Sequence, residues 1–406
     1  MIAIRGGDVV LPGRVASGAT VVVEGDRIAA IDAGDKVPAG ATVVDARGCH
    51  VVPGFIDVHV HGVHGYDTLD AGSPVAAMAG QLVRFGVTAF CPTSVACAPD
   101  ALTSFLEQVA TQRASFGTGA RVLPAHLESN FISPEYAGAQ PLECLRLPPA
   151  GPAAPRGGKA RAAVAGSEAF SGDEVLSTIA NHRANVGIVT LAPELPGGID
   201  LVRTLVAAGH RVSLGHTGAD YETAIAAIEA GARHATHLFN RMTPLSHRAP
   251  GVAGAVLESP DVAVELIADG VHVHPSLCRF AIGLKGAAQV MAVSDGTAAA
   301  GLPVGGTARL GHRRIHVRSH AAVLDDGTLA GSVATMDRIF ATLVSVCGVS
   351  VVDAAVMCAT TPARQLGLAG YGAIERGAIA DIAVLDAEFG VRYTFVGGRV
   401  IYSATS

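Results

Sequence analysis

The segment Asp57-Val58-His59-Val60-His61-Gly62 sets two imidazoles two residues apart. Side chains at i and i+2 of a strand share a face, so on a strand His59 and His61 can grip one cation between them. A lone histidine is more often structural than a ligand. The pair gains weight from its company: Glu128, His216, His237 and Asp295 each stand at or near the end of a short apolar run of the kind that forms a buried strand. Nitrogen and oxygen donors without thiolate suit a divalent metal, one or two ions per chain, and zinc, iron, manganese and cobalt all remain open. Two ions about 3.5–4 Å apart need a bridging carboxylate, and Glu128 can serve.

These residues must be positioned by something. Short apolar runs, suited to strands buried on both faces, alternate through the middle of the chain with longer helical patterns. The runs are Gly54 to His59, Val87 to Thr93, Arg121 to Glu128, Val186 to Ala192, Arg211 to His216, His234 to Phe239, Val262 to Ala268 and Val290 to Asp295. Between them the clearest helix, Asp220 to Ala230, puts Ala224, Ile225 and Ile228 on one face and stops at Gly231. Eight such units predict an α/β fold, a (β/α)8 TIM barrel, with the candidate ligands at the C-terminal edge where barrel enzymes keep their active sites. The two chain ends have a different texture, short strands and Gly-containing turns, and predict a small β-sandwich built from both. The expected division is residues 1–51 and 364–406 for that small domain and 52–363 for the catalytic barrel. Pro148 to Gly166, crowded with Pro, Ala, Gly and Arg, has no period and is expected to be a mobile surface loop.

Composition sets limits. Half of the 406 residues are hydrophobic and 16% are charged, which provides a large core and excludes disorder as the dominant state. The formal charge of -6 and the lack of any Lys/Arg-rich run argue against a nucleic-acid partner. No run of about 18 uncharged apolar residues occurs, so neither a membrane span nor a leader is expected and a cytoplasmic location is. The seven cysteines (49, 91, 97, 144, 278, 347 and 358) form no C-x-x-C pair, which argues against disulfides and a thiolate zinc site. Sixteen histidines against Lys36, Lys159 and Lys285 make imidazole the feature to follow.

In order and spacing, His59-x-His61, His126-Leu127-Glu128, Gly215-His216-Thr217, Thr236-His237-Leu238-Phe239-Asn240 and Ser294-Asp295 resemble the metal-dependent amidohydrolase superfamily, and within it the N-acetylglucosamine-6-phosphate deacetylases. Arg248-Ala249-Pro250-Gly251, Asp269-Gly270-Val271-His272, Ala298-Ala299-Ala300-Gly301, Leu329-Ala330-Gly331-Ser332 and Ala359-Thr360-Thr361-Pro362-Ala363 extend the likeness nearly end to end. The resemblance implies a metal-dependent hydrolase that removes the acetyl group from N-acetylglucosamine 6-phosphate, with a small-molecule amino sugar as its substrate and a homodimer as its assembly. Related hydantoinase-like and dihydroorotase-like enzymes bridge two metals with a carboxylated lysine, and none of the three lysines here is on a barrel strand. A bridging Glu128 is the consistent alternative. Asp295 is then the proton acceptor and donor, His272, Gln140 and Arg241 contact substrate, and Arg248 with Asn240 forms the phosphate-recognition segment. His247 and His274 are second-rank candidates. His50, His182, His210, His234, His312, His316 and His320 match no motif and are taken as structural or surface groups.

Two positions depart from the family pattern. Ser129-Asn130 stands where Gly-Pro is usual, and Gly138-Ala139-Gln140 ends in glutamine where the family has histidine. Glutamine can still donate a hydrogen bond but carries no positive charge. The same chemistry on an unphosphorylated N-acetyl amino sugar or an N-acyl amino acid therefore stays open. A non-catalytic barrel protein is a third reading, disfavoured because every candidate ligand is present, and a deaminase a fourth.

Overall fold

The computed structural model describes residues 1–115, 117–149 and 169–404, so residues 150–166 of the expected loop, Lys159 among them, lie outside the described residues. All eight expected barrel strands form, in the expected order. They are Phe55–Val60, Val87–Ser94, Arg121–Val122 continued by Ala125–Glu128, Val186–Leu191, Arg211–Leu214, His234–Ala235, Ala263–Leu266 and Val290–Ala292. Each pairs in parallel with the next, and a bridge between Val60 and Gly296 brings the last back to the first. The first two strands are buried along their whole length, as strands covered on both faces by barrel and helices must be. The third is interrupted at Leu123-Pro124, where proline offers no N–H to the ladder. The helix expected over 220–230 spans Tyr221–Glu229: the Asp220 side chain caps it by accepting from the Thr223 N–H at 2.8 Å, and Ala224, Ala227 and Ile228 are buried.

The chain ends meet in one hydrogen-bonded sheet that forks at its first strand. Ile2–Leu11 pairs with Thr42–Asp45 through its first half and with His50–Pro53 through its second, while Arg14–Glu24 runs antiparallel along its other edge. The fork needs glycine. A Cβ on Gly7 would stand 2.7 Å from a Val51 methyl, and the register shifts on both sides of Gly7. From the far end, Ile382–Leu385 pairs antiparallel with His50–Pro53, and Val391–Val396 and Arg399–Ser403 follow. The layers close on Ile4, Val21, Ile28, Val51, Val384 and Phe395. A further antiparallel sheet, absent from the sequence reading, follows the last barrel strand: Thr307–Leu310, Arg313–Arg318, Ala321–Val323 and Leu329–Ser332. It carries Leu310, Leu329 and Gly331 to the mouth of the barrel. Among the described residues no helix is long and apolar enough to cross a membrane.

Candidate active site

The structure brings His59, His61, Glu128, His216, His237 and Asp295 together. The Nε2 atoms of His216 and His237 lie 2.8 and 2.9 Å from Glu128 Oε1 and 3.1 Å from each other. On the other side His59 Nε2 and His61 Nε2 are 3.2 Å apart, and His61 Nε2 is 3.4 Å from Glu128 Oε2. Asp295 Oδ1 closes this second group, 3.4 Å from His59 Nε2 and 3.5 Å from His61 Nε2. Such edges fit donors held about 2.0–2.2 Å from one small cation, because tetrahedral ligands at that bond length stand ~3.4 Å apart. Glu128, with one oxygen in each group, is shared by the two sets of donors.

For three of the four rings the outer side explains why Nε2 faces inward. His59 Nδ1 bonds Glu265 Oε2 at 2.8 Å, His61 Nδ1 the Thr93 carbonyl at 3.2 Å, and His216 Nδ1 the Tyr136 carbonyl at 2.8 Å. Acceptors at Nδ1 fix the hydrogen there and leave the Nε2 lone pair for a cation, which is the arrangement of metal-ligating histidines. Burial alone would strip these imidazoles of protons, but the carboxylates Glu265, Asp295 and Glu128 reverse that and raise His59 to about 9. His61, likewise buried, is raised to about 10 by Asp295 and Glu128. Burial penalises the charge of Glu128 too, and His216, His237 and His61 together hold it well below the usual carboxylate range. The cluster thus demands positive charge at its centre, and a divalent cation supplies it where protons otherwise must. The donor set fits such an ion.

Glu265 is the residue sequence reading missed. It is fully buried beneath the cluster; its Oε2 also accepts from the His237 N–H at 3.1 Å, and its Oε1 stands 3.1 Å from His234 Nε2. His126 lies beside it and bonds the Val58 carbonyl and Thr190 Oγ1. A carboxylate in the fully apolar-looking run Ala263–Leu266 was the available signal, since an isolated buried charge has no place in a strand without partners.

Three of the six cluster residues have left-handed backbones: His216 at φ 48°, His237 at φ 30° and Asp295 at φ 47°. Each follows the end of its strand, where the turn lifts the side chain off the ladder and over the mouth. A non-glycine residue held there costs about 1–3 kcal/mol, and such strain collects at functional sites. The bonds that hold the turns are present: the Thr217 N–H to Arg241 O, the Leu238 N–H to Glu265 O and the Asp295 N–H to His59 O.

Above the cluster lies a cavity of about 430 Å³, a size that suits a small ligand. His61, Glu128, Gln140, His216, His237, Asn240, Arg241, His272 and Asp295 all line it. His272 is held by Asp269, whose Oδ2 accepts from its Nδ1 at 2.8 Å. Burial works against a charge on that ring, and Asp269 outweighs it and raises the pKa. Gln140 is engaged at both ends, its oxygen accepting from the Ala96 N–H and its amide nitrogen donating to Glu128 Oε2. It braces the shared carboxylate. Arg241 lies across Gly138, whose left-handed backbone and missing Cβ leave room for its side chain. The structure does not bring Arg248 or His247 to this lining; both are exposed farther along the loop. Ser129 and Asn130 face inward and serve as anchors, Ser129 Oγ to the Thr190 carbonyl and Asn130 Nδ2 to the carbonyls of Cys97 and Cys144. Of the departures in sequence, only Gln140 touches the cavity.

Comparison with known proteins agrees with this architecture. Residues 50–401 match the model of the Amidohydrolase family. The N-acetylglucosamine-6-phosphate deacetylase of Lysinibacillus sphaericus is 32% identical over 89% of this chain and 88% of its own length. That of Rattus norvegicus is 37% identical over 89% of this chain and 85% of its own. Among solved structures, the Pasteurella multocida N-acetylglucosamine-6-phosphate deacetylase superposes with a TM-score of 0.87 at 28% identity, over 99% of this chain and 100% of that one. A mutant of the Mycobacterium smegmatis deacetylase, in complex with N-acetyl-D-glucosamine-6-phosphate, gives 0.86 at 30% identity over 99% of both chains. With sequence, fold and the convergence of donors at the barrel mouth all in accord, the chain belongs to the amidohydrolase family, in the group of the N-acetylglucosamine-6-phosphate deacetylases.

Proposed function

We propose that this chain hydrolyses the acetamide of N-acetylglucosamine 6-phosphate, giving glucosamine 6-phosphate and acetate. The observation that carries the reading is the ring orientation: Nε2 of His59, His61, His216 and His237 all turn to the Glu128 carboxylate, while three Nδ1 atoms are tied to outer acceptors. His59, His61 and Asp295 would hold one divalent ion, His216 and His237 a second, with Glu128 between them. A divalent cation bound there acidifies a coordinated water and polarises a carbonyl oxygen. Asp295 takes the proton released by the attacking water on its carboxylate and later delivers it to the departing amine, which leaves poorly unless protonated. His272, its pKa raised by Asp269, donates to the substrate. Gln140 keeps Glu128 in place, and Arg241 supplies the guanidinium for the phosphate. The small domain, residues 1–51 and 364–406, braces the catalytic barrel of residues 52–363.

Seven free cysteines suit a reducing compartment, which supports a cytoplasmic enzyme, and the homodimer rests on the family alone. A second reading, an unphosphorylated N-acetyl amino sugar, is favoured by one observation: Gln140 is neutral and already engaged, so Arg241 is the one guanidinium among the described lining residues. Metal analysis together with acetate release from phosphorylated and free N-acetylglucosamine tests both. Absence of bound metal and of acetate release from either sugar would overturn the proposal.

A further inference from the structure

A cleft of about 1210 Å³ lies at the opposite end of the barrel from the metal cluster. It is bordered by the starts of barrel strands three to six, at Arg121, Val186, Arg211 and Arg233, by Ala76, Ala79 and Gly80 of the helix Pro74–Leu82, and by the end of the helix Pro99–Ala114. Arg113, Arg121, Arg183, Arg211, Arg233 and Arg364 all line it, whereas no aspartate or glutamate does among the described residues. That is a concentration of charge in a chain whose net charge is -6.

The internal bonds of these arginines satisfy donors without neutralising charge. Arg113 donates to the Ala184 carbonyl and Asn185 Oδ1, Arg233 to the carbonyls of Ile228 and Ala232, Arg364 to the Ala288 carbonyl, and Arg211 to Gln365 Oε1. All of these acceptors are neutral. Arg121 alone pairs with a carboxylate, Asp381, from behind the cleft wall, and its guanidinium also lies over the Tyr371 ring. Arg183 rests over Gly209 and forms no ion pair among the described residues. Each guanidinium has five donors, so most remain for a ligand. Burial and the nearby charge of Arg233 both act against the charge on Arg211, as expected where cations crowd without a counter-ion.

We infer that this cleft is a second ligand site, separate from the active site, for a small molecule carrying two or more phosphate groups. A single phosphate occupies two guanidiniums through paired charge-assisted bonds, and the arginines here are spread around a volume that admits a sugar bisphosphate or a nucleotide. The inference does not rest on the substrate assigned to the metal cluster.

The test is equilibrium dialysis of the metal-loaded full chain against labelled fructose 1,6-bisphosphate, with potassium chloride as the ionic control. One saturable site is expected that survives Arg241→Ala, the change aimed at the active-site mouth. Arg183→Gln should weaken it about tenfold, the equivalent of one lost charge-assisted bond, and Arg183→Glu further. The Arg183 side chain has no hydrogen bond or ion pair among the described residues, so both variants should fold, and their deacetylase kcat should match the parent. The inference is overturned by bisphosphate binding that disappears with Arg241→Ala, by equal affinity in Arg183→Glu, or by an oligonucleotide binding the cleft where the bisphosphate does not.

Discussion

Replacing Glu265 by glutamine should weaken metal binding at both halves of the cluster, because Glu265 stands behind His59 on its Nδ1 side. Its Oε2 fixes the His59 ring from behind and also holds the main-chain N–H of His237, so a single carboxylate orients one ligand from each group. Glutamine is isosteric. Its carbonyl can keep both of those bonds while its amide donates to His234 Nε2, 3.1 Å from Oε1, because burial keeps His234 neutral despite Glu265. What is lost is charge: a bond to a carboxylate is worth about 1.5–3 kcal/mol and a neutral one about 0.5–1.5, a difference of ~1–1.5 kcal/mol or roughly tenfold in affinity. Outer partners of metal-bound histidines commonly account for 10- to 100-fold, which brackets the same range. Glu265→Ala, by contrast, leaves the His59 ring N–H and the His237 N–H buried and unpaired at about 1–3 kcal/mol each, and should chiefly destabilise the fold. The informative assay is therefore a chelator-competition titration of Glu265→Gln with Co²⁺, following both affinity and the visible spectrum that reports ligand geometry. Tenfold or greater weakening with cooperative unfolding retained is expected. Parent affinity with a parent spectrum would show that Glu265 does not position the ligands.

Asp295→Asn removes the proton acceptor but keeps size and one oxygen; kcat should fall by about 10²–10⁴ with metal largely retained, and a change of only a fewfold would move the proton to another group. Arg241→Ala should reduce kcat/KM on the 6-phosphate by roughly 10- to 150-fold while sparing the free sugar, whereas Arg248→Ala should do little. A loss confined to Arg248→Ala would move the phosphate contact to the exposed part of the loop. His272 has a pKa raised by Asp269, so its charge persists above the ordinary histidine value and is lost as pH rises through the raised one. The alkaline limb of kcat/KM should accordingly shift to lower pH in Asp269→Asn; an unmoved limb would dissociate His272 from it.

The barrel was legible because its strands obey a simple physical rule. Runs such as Val87–Ser94 and Val186–Leu191 are covered on both sides and are therefore built of apolar and small uncharged residues, with no charge in either. The ends of strands five, six and eight were read too long, through His216, Phe239 and Asp295, because apolar texture continues past the point where the ladder stops. Left-handed backbone at His216, His237 and Asp295 follows just past the end of each ladder, and although His and Asp adopt that conformation more readily than most residues, type alone does not place it. The sheet over 307–332 escaped notice for a related reason: its strands are short and interrupted by charge, as in Arg313–Arg318, and only Ile315 and Val317 are buried there.

Within the site, residues able to bind a cation directly were readable from type and spacing, whereas residues that act through them were not. Histidine two residues from histidine announces itself on any strand. Glu265 and His126 look the same in sequence as any polar residue in an apolar run, and their role appears only when the barrel places them under His59. Gln140 shows the converse. Read as a departure in a residue that contacts substrate, it weakens the case for phosphate. Its amide, however, already spans Glu128 and the Ala96 N–H, so the change bears first on how firmly the shared carboxylate is held and only through it on the substrate. Histidine could reach the same carboxylate with one ring N–H and, only while neutral, accept from Ala96 with the other nitrogen, whereas glutamine does both without titrating. A substitution in the cavity lining is in this way also a substitution in the frame of the metal cluster, and its two effects separate by measurement: metal affinity follows the frame, and the preference for phosphate follows the lining.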